Sequence, residues 1–284
     1  MTRDLPILSA TLSVDYPRKP GVLRAVPLKI DAGEILGLVG QSGSGKSTIA
    51  LALMGLLPLK GAQVRGQALF QGEDLLRKTE RQLRTVRGRQ ISIVLQSPVT
   101  SLNPALTIGS QLEEAWRAHA EGTREERLAA VFTAMRSVCL DADAEFLKRR
   151  PAQLSIGQAQ RVVIAMAILH RPALLIADEA TSALDTITQA EIVRLFARLN
   201  REMGMAILYI SHDLLSVAAL CHRIAILQEG QLVECDATER IFASPSHEYT
   251  RRLVAALPKA PSAQHREWDV ERDLEGSLVT TGQQ

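Results

Sequence analysis

Cysteine is scarce in this chain: Cys139, Cys221 and Cys235 are the three among 284 residues, and none forms a Cys-x-x-Cys pair. That spacing disfavours both a zinc site and a disulfide framework. Charge of one sign is also missing. The formal net charge is +2, with the basic residues spread out, so no strong field points to nucleic acid. The short cluster Lys148-Arg149-Arg150 reads as a solvated helix end. No apolar run approaches the length that spans a bilayer. The N-terminus, Met-Thr-Arg-Asp-Leu-Pro, has no basic stretch followed by an apolar core, so no signal peptide is read. The expectation is a soluble, cytoplasmic protein whose dealings with a membrane pass through a partner. What the chain has instead is apolar content. At 46% hydrophobic it can bury one large domain with an appendage, or two modest domains.

The richest local signal is GLVGQSGSGKST, Gly37 to Thr48. It satisfies G-x-x-x-x-G-K-[ST] through Gly40, Gly45, Lys46 and Ser47. Before it, residues 34–39 read as a buried strand; after it, residues 47–54 read as a helix. Strand, glycine loop and helix together make a phosphate-binding loop, where a bare Gly/Ser turn would lack such flanks. The loop runs through Gly40, Gln41, Ser42, Gly43, Ser44, Gly45, Lys46, Ser47 and Thr48. Its curled backbone can turn successive N–H groups onto phosphate oxygens, with a helix N-terminus behind them. Lys46 would reach the β- and γ-phosphates, and the Ser47 hydroxyl would sit on Mg²⁺.

The rest of the chain gives an α/β pattern with inserts. Leu8, Ala10, Leu12 and Val14, then Val22, Leu28 and Ile30, alternate as antiparallel strands ahead of the loop. Residues 67–70 form a short strand candidate, followed by turn residues Gly72 to Asp74. Residues 91–95, 174–177, 206–210 and 224–227 are apolar strand signals, and the last turns through Glu229-Gly230 into a hairpin with 231–234. From Thr107 to about Arg150 the spacing is helical. Thr123-Arg-Glu-Glu126 has the form of a capping box, with Leu128, Val131, Phe132 and Met135 on one face behind it. That stripe reads as core. The segment after Leu257, rich in Pro, charge and Gln, reads as a partly disordered tail over 259–284. No internal repeat is visible.

A phosphate loop alone is compatible with a GTPase, a kinase, a recombinase-type motor or a transport ATPase. Leu174 to Glu179 narrows the choice, because an apolar strand there delivers Asp178 and Glu179 to its end. One carboxylate suits Mg²⁺ and the other suits the attacking water. Gln96 and His212 also end strand signals. The amide could touch Mg²⁺ and the water, and the imidazole sits on a strand expected beside that of Asp178.

Leu154-Ser-Ile-Gly-Gln158, followed by Gln160-Arg161, resembles the signature segment of ABC-type ATPases. ADEATSALD, Ala177 to Asp185, resembles their Walker B strand running into the D-loop. The order of phosphate loop, Gln96, signature, Asp178-Glu179, Asp185 and His212 matches that family along nearly the whole chain. The resemblance implies an ABC-type P-loop fold over 1–258. It comprises a mixed core sheet, an N-terminal antiparallel β subdomain and an inserted helical subdomain over about 98–160. It implies ATP and Mg²⁺, with Tyr16 stacking on adenine and Ser47, Gln96 and Asp178 around the metal. Glu179, His212 and Gln96 would carry catalysis. Two cassettes would meet head to tail, so that Ser155, Gly157, Gln158 and Asp185 complete the nucleotide site of a partner copy or paralogue. QSPVTSLNP (96–104), SALDTITQAEI (182–192) and SPSHEYTRRLVAALP (244–258) resemble ATPase subunits of peptide and nickel importers. The implied function is to energise import of oligopeptides, dipeptides, nickel or a metal–chelator complex. The chain would sit peripherally on the cytoplasmic face of the inner membrane against two permease subunits, with an extracytoplasmic solute-binding protein acting indirectly and no nucleic acid. A non-transport ABC ATPase acting on nucleic acid or ribosomes is the alternative, and a catalytically degenerate structural partner is a third.

Three departures from the family pattern stand out. Many members of that importer subfamily carry a cysteine cluster after the equivalent of Pro258, and this chain has no cysteine beyond Cys235. Position 180 is Ala where proline is usual. Ile156 replaces the first glycine of Leu-Ser-Gly-Gly-Gln. A β-branched residue is closed to positive φ and adds bulk where two proteins would close on a nucleotide. Either Ile156 keeps a negative φ and points outward, or it weakens the partner's site.

Overall fold

The protein is described here by a computed structural model covering residues 6–257. The expected tail at 259–284 therefore lies outside the described residues. Among the described residues, no helix is long and apolar enough to cross a membrane.

Two sheets organise the chain. The first has four strands in the order β2-β1-β4-β5, with β1 at Leu8–Tyr16, β2 at Lys19–Ile30, β4 at Gln63–Phe70 and β5 at Glu73–Asp74. It is antiparallel throughout. The alternation read at its start holds for Leu8, Ala10, Leu12 and Val14, all buried. It breaks at Val22: Leu23, not Val22, is the residue that turns inward. The cause is a bulge. Pairing shifts on either side of Val14, and Ala25 takes a φ of 47° with its N–H donated to Ser13 Oγ at 2.9 Å. Strand β4 also begins earlier than its apolar residues suggest, because Arg65 and Gly66 pair along β1 with no buried side chain of their own.

The second sheet has six strands in the order β10-β9-β3-β8-β7-β6. Strands β3 (Ile35–Val39), β6 (Ile91–Val94), β7 (Leu174–Asp178), β8 (Ala206–Ser211) and β9 (Arg223–Gln228) run parallel. Strand β10 (Gln231–Ala237) returns antiparallel through Glu229 and Gly230, both at positive φ, as the hairpin signal requires. A parallel strand covered on both faces can be apolar at every position. That is why these strands show continuous apolar runs, and their alternate residues serve different cores. Ile35, Leu175, Ala177, Ile207, Tyr209, Ile224 and Ile226 face one cluster; Leu36, Leu38, Leu174, Ile176, Leu208, Ile210 and Leu227 face the other.

The second face is covered by the antiparallel sheet and by α1 (Lys46–Leu53), with α2 (Glu80–Val86) adding Val86. The first face is covered by helices. These include α4 (Ile108–Arg117), α5 (Arg124–Ser137) and α7 (Ile156–Ile168), with the short α3 (Pro98–Ser101) ahead of α4 and the short α6 (Ala144–Lys148) between α5 and α7 in sequence. The Thr123–Glu126 capping box forms with both bonds in place, and Val131 and Met135 are fully buried behind it. Helix α6 ends at Lys148, and Arg149 lies over the Phe146 ring. Helix α8 (Thr186–Met203) packs beside α9 (Leu214–Leu220), and α10 (Thr238–Ala243) and α11 (Glu248–Ala255) close the described chain.

One amide ties these layers together. Asn200, near the end of α8, donates from Nδ2 to the carbonyls of Gly33 at 2.9 Å and Met205 at 2.7 Å. It holds the entries of β3 and β8, the neighbouring strands whose far ends carry the site. Asn200→Ala removes both donors from a buried position, so chemical denaturation should show a loss of about 1–3 kcal/mol.

Candidate functional site

The site forms where the parallel strands end. In a sheet of this kind the carboxyl ends of the strands and the helix N-termini after them share one edge. Strand β3 ends at Val39 and leads through the glycine loop to α1, whose N-cap is Gly45. Gly45 takes a φ of 110°, and a Cβ there would stand 2.6 Å from Leu23 Cδ2, so only glycine fits. The loop is braced from behind. Gly230 N–H donates to the Ser44 carbonyl at 3.0 Å, and Gly230 accepts from Arg24 N–H at 2.8 Å. The hairpin tip thereby connects the antiparallel sheet to the loop.

Lys46 is buried, with its side chain 5% exposed. Its ammonium donates to the carbonyls of Gly40 at 2.8 Å and Gln41 at 3.1 Å. Burial lowers its pKa from the usual lysine value, while the charges of Glu179 and Asp178 work against that shift. Glu179 Oε1 lies 3.9 Å from Lys46 Nζ and 3.7 Å from His212 Nδ1. Ser47 Oγ donates to Asp178 Oδ1 at 3.1 Å. Burial pushes the Asp178 carboxyl above its usual range; the Ser47 bond opposes this, Glu179 adds to it and Lys46 opposes it. The Ser44 hydroxyl is buried with no partner among the described residues. A phosphate chain is the kind of ligand that would satisfy such an orphan donor beside a helix N-terminus.

Strand adjacency brings in the remaining candidates of this cluster. Val94 pairs with Ala177 and Asp178 with Ile210, so Gln96 and His212 leave the sheet on either side of Asp178 and Glu179. Both are exposed at that edge. Tyr16 ends β1 at the hairpin whose partner Leu23 touches Gly45, and it is half-buried against the second core. The all-oxygen set of Ser47, Asp178 and the Gln96 amide suits a hard divalent cation such as Mg²⁺.

A second cluster is separate. Ser155 caps α7: its Oγ accepts from Gln158 N–H at 3.1 Å, and Gln158 Oε1 accepts from Ser155 N–H at 3.1 Å. A Cβ on Gly157 would stand 2.8 Å from Thr188 Cγ2, so this turn lies against the start of α8. Asp185 caps that helix, accepting from Ile187 N–H, Thr188 N–H and Thr188 Oγ1. These bonds hold its carboxyl below the usual range. Among the described residues, no hydrogen bond or ion pair joins this cluster to Lys46. Ile156 sits inside α7 with helical backbone and is 52% exposed, so its φ is negative and it points outward.

Sequence reasoning missed one residue of the first cluster. Gln41 N–H donates to the Tyr249 hydroxyl at 3.2 Å, from a helix 208 residues further on.

Residues 23–182 match the family described as ABC transporter. The glutathione import ATP-binding protein GsiA of Salmonella typhimurium is 43% identical over 243 residues, or 84% of this chain and 39% of that protein. The chain thus spans well under half the length of that relative. The dipeptide transport ATP-binding protein DppD of Escherichia coli is 41% identical over 251 residues, covering 87% of this chain and 77% of that one. Among solved structures, the ATP-binding cassette MJ0796, a dimer in a post-hydrolysis state bound to ADP and Pi, is similar at a TM-score of 0.69. It shares 28% identity and covers 81% of this chain and 98% of its own.

Glu179 carries backbone strain. Its φ is 50°, a region that costs a residue with a Cβ about 1–2 kcal/mol. Its N–H bonds the Ile210 carbonyl and its carbonyl accepts from the Ser182 N–H and hydroxyl, which hold it there. Ala180 after it is buried. Such strain persists where the surroundings over-determine it, and it is concentrated at functional sites. Glu179→Gly should therefore be more stable than Glu179→Ala by about 1 kcal/mol in a denaturation experiment, since both variants lose the carboxylate and only glycine is relieved of the strain.

Proposed function

This chain belongs to the ABC transporter family, and on that premise we propose that it hydrolyses ATP to power an importer of peptide-class solutes. The observation that carries the reading is the buried Lys46 ammonium beside Glu179, at the mouth of a phosphate-type loop. Relatives named for glutathione and dipeptide transport favour peptides over nickel or a metal–chelator complex as cargo.

In this mechanism the loop N–H groups and Lys46 bind the triphosphate and neutralise charge as it moves toward the β–γ bridge. Ser47, Asp178 and Gln96 would hold Mg²⁺, which supplies further charge neutralisation at the phosphates. Glu179 takes a proton from the attacking water as its oxygen bonds to the γ-phosphorus. The bond from that phosphorus to the bridging oxygen breaks, and ADP keeps the electron pair. His212, 3.7 Å away, orients the Glu179 carboxylate. Tyr16 stacks on the adenine.

A second cassette, a copy or a paralogue, covers the phosphates with its own Ser155, Gly157 and Gln158. In their capping box the Ser155 hydroxyl proton and the Gln158 amide protons stay free to donate, and the N–H groups of the first turn of α7 lack helical acceptors. The dimeric MJ0796 cassette supports this arrangement. With a negative φ at Ile156, what separates this chain from the glycine pattern is bulk alone, presented to the partner's site.

The chain would sit at the cytoplasmic face against two permease subunits served by a solute-binding protein. A cavity of about 330 Å³ between β6 and α7, lined by Met54, Ile93, Leu95, Val163 and Met166, is the receptor for a short permease helix. Exposed Leu95 in its wall is one residue from Gln96, and exposed Val99 is three residues beyond Gln96. Nucleotide state at Gln96 can therefore tilt this surface. Cysteine crosslinks from a permease cytoplasmic loop should concentrate at 95–106; crosslinks confined to 258–284 would contradict the placement.

Chemistry gives the direct test. Glu179→Gln should retain ATP binding and lose on the order of 10²- to 10⁴-fold in turnover. Lys46→Ala should lose binding itself. Phosphate release at the wild-type rate from Glu179→Gln in the assembled complex would falsify the assignment.

A further inference from the structure

The bond between the phosphate loop and the C-terminal helix is unexplained by the reaction described above. Tyr249 is 5% exposed, and its ring lies in the same core cluster as Val39 and Ile226. Val39 is the residue before the loop. From there the Tyr249 hydroxyl accepts the Gln41 N–H.

That N–H belongs to the Gly40–Gln41 peptide unit. The carbonyl of the same unit, on Gly40, accepts from Lys46 Nζ at 2.8 Å. A peptide is planar, so fixing its N–H fixes its carbonyl on the opposite edge. One plane therefore has Tyr249 on one side and the Lys46 ammonium on the other.

The helix that presents Tyr249 is itself anchored. Glu234 on β10 accepts from Ser246 N–H at 2.7 Å and from His247 N–H at 3.0 Å. His247 caps α11, its Nδ1 accepting from Tyr249 N–H at 3.2 Å. Arg251 reaches back to the carbonyls of Pro245 at 3.3 Å and Ser246 at 2.7 Å. Two bonds to Glu234 tie this turn to the sheet and the His247 and Arg251 bonds close it on itself, so the hydroxyl is held in place by more than its own contact.

We propose that Tyr249 is a positioning residue for nucleotide binding: its hydroxyl locks the Gly40–Gln41 peptide plane and thereby sets where the Lys46 ammonium rests. The lock preorganises the loop. Without it the plane rotates more freely, the Gly40 carbonyl drifts, and the entropy of ordering Lys46 is paid when the phosphates arrive. The ring alone cannot do this, because phenylalanine offers no acceptor to the Gln41 N–H. The inference rests on ATP binding at Lys46, as proposed above.

The test is Tyr249→Phe in the full chain, which keeps the buried ring and deletes the hydroxyl. Three quantities are measured: the Kd for ATP by fluorescent-nucleotide competition, kcat at saturating ATP in the assembled complex, and amide hydrogen exchange of the peptide spanning Gln41. The expected result is a Kd about 2- to 10-fold weaker, the equivalent of one neutral hydrogen bond. Alongside it, kcat should stay within about twofold, and exchange at Gln41 should be faster without nucleotide. Tyr249→Ala, which also removes the ring, should weaken the Kd at least as much. If wild type binds ATP and Tyr249→Phe binds it equally well, the proposal is overturned, even when the variant melts lower, because the tyrosine is then a packing residue. Faster kcat loss with an unchanged Kd overturns it too. If the wild-type chain itself binds no ATP, the functional reading fails first, and unaltered exchange at Gln41 in the variant separately removes the lock.

Discussion

A lysine ammonium buried at the start of a helix, where the parallel strands end, is the constraint around which this molecule is arranged. Taking such a charge out of water is costly unless acceptors surround it. Its partners here come from near and far in the chain: carbonyls of the loop a few residues back, and the charges of the carboxylates delivered by β7. Those carboxylates reach Lys46 only if β3 and β7 end together, and the pairing of each with β8 makes them do so. The hairpin tip at Gly230 and the tyrosine of α11 then hold the loop from outside. Each brace constrains where one positive charge can sit, and the proposed chemistry is the use made of that position.

Much of this was legible in the sequence because it is local. The loop, its flanking strand and helix, the Thr123 capping box and the Glu229-Gly230 turn each declare themselves within a dozen residues or fewer. Parallel strands announce themselves as unbroken apolar runs. What the sequence hid is of two kinds. Register is one: a bulge at Ala25 exchanged Val22 for Leu23 on the inner face, and nothing in the apolar spacing encodes an extra residue. Long-range polar contact is the other. The hydroxyl of Tyr249 and the N–H of Gln41 carry no reciprocal pattern, so only the fold could bring them together. The left-handed backbone of Glu179 belongs with these, since glutamate advertises no preference for that region.

The signature turn shows how one set of atoms can serve two states. Ser155 and Gln158 satisfy each other as a capping box in the single chain, a self-contained arrangement that makes the N-terminus of α7 stable without a neighbour. Asp185 does the same for α8. Residues that the family resemblance assigns to a partner's nucleotide are thus already engaged in holding two helix ends against each other through Gly157 and Thr188. A surface built in this way is rigid before it meets anything.

The alternation of β3, β7, β8 and β9 between two cores has a consequence for the history of such a chain. The sheet acts as a partition: a side chain pointing to the helices shares no neighbours with the next residue, which points to the antiparallel sheet. Substitutions on opposite faces should be close to additive, since coupling requires shared contacts. Changes in the core under α4 and α5 can then accumulate without disturbing the packing of α1 behind the glycine loop, whereas Val39 and Tyr249 tie the helical side to the loop itself. The two cores can thus vary largely independently, and the boundary between them is a single layer of backbone.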